Sequence, residues 1–428
     1  MPSSVTAPEG QLSRRDKFRA YMQAFNPTAP AREVIEAGLV CEDLHQSLYR
    51  NLAARADLEP GCQQLLVGGV GSGKTTELIL AERWLGMQPH VLPVYVDVSA
   101  DTNLSSLNMG ALIASFGMRL SFEVFASEAI WQDKEKAEEL TKIDEKVMEF
   151  AYGKRIERPL NRLAALSSLS AAPTDEFQNG AFVNTETVPG KLIPPFPALD
   201  RDIREMRGFI SELLAAVKET KKEVVVVFDG LDRLLDPNKF WSIVYQDLRL
   251  LRELKVSVIA TAPLSVLFGV GVGQSISDHF DRVHHLTVIP NDSAVTSLEL
   301  VLERRGVTNL LDPGIAYFIC NYSGGVLRDL ISVARDAAEE AYVSDHDYIS
   351  VGDIEKVGHQ LGIGYLRGLG PEAINRLLRL ESSKSFDLGQ PSNLELLVTR
   401  RVLEYSSTDF RVHPALLSVI PRPESQRA

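Results

Sequence analysis

Eight residues in a row, Gly68-Gly69-Val70-Gly71-Ser72-Gly73-Lys74-Thr75, match the pattern G-x-x-x-x-G-K-[ST] at every fixed position. Glycines let a short loop turn its backbone N–H groups inward on a polyphosphate. The lysine ammonium then meets the β- and γ-phosphates, and the hydroxyl of Thr75 ligates Mg²⁺. Thr76 continues the same first helical turn. A glycine-rich turn that happens to end in Lys-Thr is the plain alternative, and context argues against it. The apolar run Leu65-Leu66-Val67 precedes the loop as a short buried strand, and Thr76 to Glu82 follows with helical spacing. A helix N-terminus adds its dipole to an anion site. Residues 68–76 are therefore expected to hold a nucleoside triphosphate with Mg²⁺.

Such a loop holds the metal only in part, and a carboxylate at the end of a neighbouring buried strand completes the site. Val224-Val225-Val226-Val227-Phe228-Asp229 has that form. Four valines and a phenylalanine suit a central parallel strand, and Asp229 stands at its carboxyl end, where ligands bind in open α/β sheets. Gly230 occupies the next position, where many ATPases place a glutamate, so binding is better marked than hydrolysis. Asp232 is either a water-orienting carboxylate or a solvent-facing loop residue. Thr261, closing Val256 to Thr261, either senses the γ-phosphate or simply ends a strand. Arg282 reaches a nucleotide on a neighbouring subunit or pairs with Asp281 on the surface. Arg328, early in the helix after Ser323-Gly324-Gly325, contacts the γ-phosphate from a lid or lies on a helix surface; in the first case it would couple nucleotide state to lid position.

The elements that must position these groups alternate. Strands are expected at 65–67, 91–98, 223–228, 255–261 and 284–289. Helices are expected at 104–125, 200–220 and 239–253, which implies a parallel sheet flanked by helices. The segment 133–158 is highly charged with apolar positions three and four apart and reads as a solvated helix. Residues 167–199 are rich in Ser, Ala, Pro, Gly and Thr without periodicity and read as a long flexible insertion. After Pro290 the pattern is helical, over 294–305, 312–322, 326–341 and 351–361. The stretch 371–420 reads as two helices and a hairpin. The N-terminal residues 1–31 read as a loose arm with one amphipathic piece at 15–25.

The 428 residues suggest two or three domains, and 45% hydrophobic with 24% charged residues is ordinary for a globular chain. A net charge of −12 argues against a surface that coats nucleic acid throughout. Three scattered cysteines form neither a disulfide framework nor a metal site. With no signal-like or membrane-length apolar run, a cytoplasmic location without membrane contact is expected.

With these residues in view, the chain resembles the AAA+ and STAND P-loop ATPases. The order of phosphate loop, strand Asp, strand Thr, Arg before the last strand and a lid bearing Ser-Gly-Gly-x-x-Arg-Asp-Leu carries the likeness. Asp229-Gly230-Leu231-Asp232 is similar to the second motif of NACHT-type members. The lid and tail are similar to origin-recognition ATPases, which end in a winged helix. The resemblance implies a P-loop core at 42–290 carrying an insertion at 133–199, an arm at 1–41, a helical lid at 291–368 and a winged-helix-like domain at 369–428. It implies ATP as the nucleotide, which no motif for the base selects. Three roles follow: a switch whose nucleotide state governs self-association or a protein partner, a DNA-loading ATPase using Arg400, Arg401, Arg411 and Arg422 of the tail, or a bacterial defence or stress regulator acting with a separate effector.

Overall fold

The computed structural model describes residues 13–421 apart from 43, 46, 103, 127–133, 153–199, 235, 269–275, 277, 291–296 and 307–308. In chain order the elements begin with α1 (Arg14–Ala24), α2 (Ala31–Glu36), α3 (Leu48–Leu58), β1 (Gln63–Gly68), α4 (Lys74–Gly86) and β2 (Val91–Asp97). Next come α5 (Val98–Asp101), α6 (Ala111–Ala126), α7 (Lys134–Tyr152), α8 (Asp200–Glu219), β3 (Glu223–Asp229), α9 (Pro237–Glu253), β4 (Ser257–Ala262), α10 (Ser265–Phe268) and β5 (Arg282–Leu286). The remainder is α11 (Ser297–Arg305), α12 (Pro313–Ser323), α13 (Leu327–Val343), α14 (Val351–Leu366), α15 (Pro371–Ser383), α16 (Pro391–Val398), β6 (Val402–Ser406), β7 (Asp409–Val412) and α17 (Pro414–Leu417). Two compact units result. One comprises 48–67 and 77–285, the other the N-terminal residues to Ser47, 68–76 and everything from Leu286.

The first unit is built on a five-stranded sheet in the order β2-β3-β4-β1-β5, with β2, β3, β4 and β1 parallel to their neighbours. β1 and β4 are buried along their whole length, and β3 from Val224 on. This is why they read as continuous apolar runs rather than alternating ones. Helix α6 packs on β2, and α8 on β3. The N-terminus of α6 is held by a neighbour: Asp247 of α9, fully buried, accepts from Gly110 N at 2.8 Å and Leu112 N at 2.9 Å. Helix α7 corrects the reading of a solvated helix. Its charged face is exposed, but Leu140, Ile143, Val147 and Ala151 are buried and it packs against α6 and α8. The 167–199 stretch lies outside the described residues.

The second unit has its own core, from Phe18, Tyr21 and Phe25 through Leu298, Ile319, Leu330, Val333 and Ala337 to Ile354. The expected loose arm is thus corrected in part. Helix α1 packs on α13, burying three aromatics spaced three and four apart. Arg14 donates to the carbonyls of Tyr342 at 3.1 Å and His346 at 2.8 Å, satisfying one group in the last turn of α13 and one just past it. In the tail, two helices precede the antiparallel ribbon β6–β7, in the helix–helix–hairpin order expected. Helix α16 closes in a Schellman turn. Arg401 N donates to Leu396 O at 2.9 Å and Arg400 N to Leu397 O at 3.0 Å, with Arg400 left-handed at φ 61°.

Candidate functional site

Within the second unit the phosphate loop is a strained, glycine-dependent turn. Gly71 has φ 83° and Gly73 φ 100°, a region that side-chain-bearing residues rarely adopt. Neither could carry a Cβ freely. At Gly71 it would sit 2.8 Å from the Arg328 Cβ, and at Gly73 it would sit 3.2 Å from both His45 and Leu327. Lys74, almost fully buried, folds back over the loop and donates from Nζ to Gly68 O and Gly69 O, each at 2.8 Å. Ser72 is buried, and its Oγ lacks a hydrogen-bond partner among the described residues. A polar atom left so is costly and marks a place for a ligand or water oxygen. Val70 and Thr75 are exposed, and a Cβ at Gly69 would meet open space. A buried ammonium, an unsatisfied hydroxyl and the amino end of α4 beside open space fit a polyphosphate.

The lid residue Arg328 lies against this loop. Its backbone N donates to Gly71 O at 3.4 Å, and its side chain is exposed. Helix α13 thus meets the glycine loop through the backbone and Cβ of Arg328, a contact that the sequence reading did not include. The residues beside it, Leu327 and His45, were not singled out by sequence reasoning. His45 lies in a short turn that carries no motif.

Within the first unit, Asp229 closes β3 and is 5% exposed. Its Oδ1 accepts from Gly230 N at 2.7 Å and its Oδ2 from the Tyr95 hydroxyl at 2.8 Å. Gly230 has φ 84°, which turns the chain into the short helical turn Leu231–Arg233. A Cβ there would be 2.9 Å from Ser99, so a glutamate at this position is sterically barred as well as absent. Thr261 is fully buried as the penultimate residue of β4, and its Oγ1 accepts from Leu231 N at 3.1 Å. It therefore braces the turn that carries Asp232, which is half-buried. Asp97, the register partner of Asp229, caps α5 by accepting from Ser99 N at 3.0 Å and Ala100 N at 3.1 Å. Tyr95 was missed by sequence reasoning. Its contact with Asp229 depends on the β2–β3 register, which no local pattern encodes.

Arg282 is the first residue of β5 rather than a residue before it, and it is exposed. Its neighbour Asp281 accepts from Gln63 N at 2.7 Å, at the start of β1. Arg282 thus stands at the amino edge of the sheet, opposite the ends of β3 and β4 that bear Asp229 and Thr261. Asp281 pairs with Arg252 at 2.9 Å. Burial, with the charges of Arg282 and Arg55 adding to it, lowers the pKa of His284 on the same strand to about 4.

The tail arginines of the DNA-loading reading have partners within the chain. Arg400 binds Asp329 at 2.9 Å, Arg401 donates to Tyr365 O at 3.0 Å and Arg367 O at 2.8 Å, and Arg411 pairs with Asp409 at 2.7 Å. All three have internal partners rather than forming a bare basic surface. Arg422 lies outside the described residues.

No protein-family model matches the chain, and no curated protein matches it. Among solved structures it is similar to the Walker-type ATPase of Pyrococcus abyssi (TM-score 0.45, 14% identity, covering 88% of this chain and 95% of that one). It is also similar to the Aeropyrum pernix ORC2 protein, solved with ADPNP and ADP (0.43, 13%, 92% and 94%). A third similarity is to Drosophila ORC bound to DNA (0.44, 12%, 90% and 76%). The aligned regions take in most of this chain's length.

Proposed function

We propose that the chain binds ATP with Mg²⁺ and works as a slow ATPase switch, its nucleotide state governing self-association or a protein partner. Residues 68–76 cradle the phosphates. Lys74 exchanges its two carbonyl partners for the β- and γ-phosphates, and Thr75 and Asp229 hold Mg²⁺. The metal neutralises phosphate charge and polarises the terminal phosphoryl group. Asp232 orients water, Thr261 holds the turn that presents it, and Arg328 reads the γ-phosphate from the lid. A barred glutamate at position 230 supports slow turnover, and Arg282 is left for a second copy of the chain.

The observation that carries this reading is the direct seat of α13 on the glycine loop, Arg328 N on Gly71 O beside a buried Lys74. Any ligand that reshapes the loop must move or fix that lid. In equilibrium titrations with a fluorescent ATP analogue and Mg²⁺, Lys74→Ala is expected to weaken binding by about a hundredfold, the loss of a buried charged contact worth about 2–3 kcal/mol. Binding equal to the parent's would overturn the assignment.

A further inference from the structure

The turn Ser323–Val326 and the first residues of α13 lie between two neighbours within one unit. On one side is the glycine loop, touched by Leu327 and Arg328. On the other side is the C-terminal ribbon. Tyr405 donates its hydroxyl to Gly324 O at 2.7 Å, and a Cβ at Gly324 would stand 2.5 Å from Leu403 and 2.7 Å from Pro414. Gly325 is pressed on the Ile289 carbonyl. Both glycines are required by close approach, one against the tail and one against the chain leaving the sheet.

Asp329, next to Arg328, is the second connection. It is 4% exposed and gathers three donors from distant parts of the chain. Tyr365 OH lies at 2.5 Å, Arg400 Nη1 at 2.9 Å and His413 Nε2 at 3.3 Å. The imidazole tautomer follows from its other nitrogen. His413 Nδ1 faces the N–H of Ala415 at 3.3 Å and must accept, so its proton sits on Nε2 and points at Asp329. Burial holds His413 neutral, below its ordinary pKa. Burial alone would raise the pKa of Asp329, but the His413 hydrogen bond and the Arg400 charge outweigh it and keep the carboxylate ionised. Arg400 reaches Asp329 from the left-handed position of the Schellman turn, a place glycine usually takes.

We infer that Asp329 is a positioning residue that ties the seating of the C-terminal ribbon to the shape of the phosphate loop. When the ribbon is seated, Arg400 and His413, which flank it in the chain, hold Asp329, and the adjoining Leu327-Arg328 pair is pinned on Gly71 and Gly73. When a partner draws the ribbon away, that pin loosens and the loop relaxes. Coupling between two sites is reciprocal, so nucleotide at the loop must also steady the ribbon. The inference rests on the ATP reading for its second half only.

The test uses hydrogen–deuterium exchange on the full chain, first without nucleotide. His413→Leu deletes the Nε2 donor, His413→Gln keeps an amide N–H at similar reach, and Arg400→Gly keeps the left-handed backbone while removing the guanidinium. Exchange in the peptide covering 70–76 is expected to quicken roughly tenfold in His413→Leu and Arg400→Gly and to recover in His413→Gln, a coupling of ordinary size. Where His413→Leu fails to fold by circular dichroism, Arg400→Gly and His413→Gln decide. Folded variants with unchanged loop exchange overturn the inference, whatever nucleotide does. With ATP and Mg²⁺ added, the parent is expected to slow exchange in β6–β7, and Arg400→Gly to lose that slowing. A parent that ignores ATP while its variants loosen the loop would sink the nucleotide reading and leave the coupling supported.

Discussion

The Lys74 ammonium bonds two carbonyls of its own loop, so on the ATP proposal binding exchanges those partners for phosphate oxygens. Asp229 is likewise oriented in advance by Tyr95 and Gly230. Groups that orient a metal-binding carboxylate typically change metal affinity tenfold or more when removed. Tyr95→Phe is therefore expected to raise the Mg²⁺ concentration for half-maximal ATP binding by about tenfold, with little change in melting temperature. An unaltered Mg²⁺ requirement would show that Gly230 N–H alone suffices to aim Asp229. The loop and the strand aspartate were legible because each is spelled in consecutive residues. Tyr95 and Asp329 were not, because their partners lie 134 and up to 84 positions away and meet only through sheet register and the packing of the tail. The acceptors of Arg400 and Arg401 were hidden for the same reason, since they are far off in sequence.

At the scale of elements, the strand–helix alternation was readable because buried parallel strands need unbroken apolar runs. Charge misled at α1 and α7. Both are polar on average, yet each keeps a narrow apolar stripe that a packed helix needs and a solvated one does not. The start of α6 shows how one element is set by another. Asp247 of α9 accepts two of its first N–H groups from full burial. Asp247→Ala leaves them unpaired and is expected to cost about 2–4 kcal/mol, with Asp247→Asn, which keeps one acceptor oxygen, falling between. Urea titration measures this through the midpoint at constant slope. A loss below about 0.5 kcal/mol would mean that water or a backbone shift replaces the cap.

Across the whole molecule, the phosphate loop belongs with the helical unit, whose core also takes in the N-terminal helix. That helix contributes three buried aromatics, each worth about 1.5–3 kcal/mol when fully buried. Removal of residues through Phe25 is therefore expected to lower the melting temperature by several degrees or more and to weaken ATP binding, since the lid that touches the loop rests on the damaged core. Differential scanning calorimetry of the truncated chain against the parent tests this. Equal transitions would show that α1 is an appendage. The tail, read from sequence as a winged-helix-like domain, is joined to the rest of its unit by Asp329, Gly324 and the Val288–Glu404 backbone bond at 3.0 Å.

Arg400 bears on how such a sequence can change. Its left-handed backbone costs about 1 kcal/mol relative to glycine, and a single-residue replacement would recover it. Drift under selection for fold stability alone, or redesign by local propensity, would favour glycine there. A chain that retains arginine at the end of α16 keeps a local weakness in exchange for a guanidinium on Asp329. In descendants of this sequence, glycine at 400 would mark lineages whose tail no longer answers to the loop.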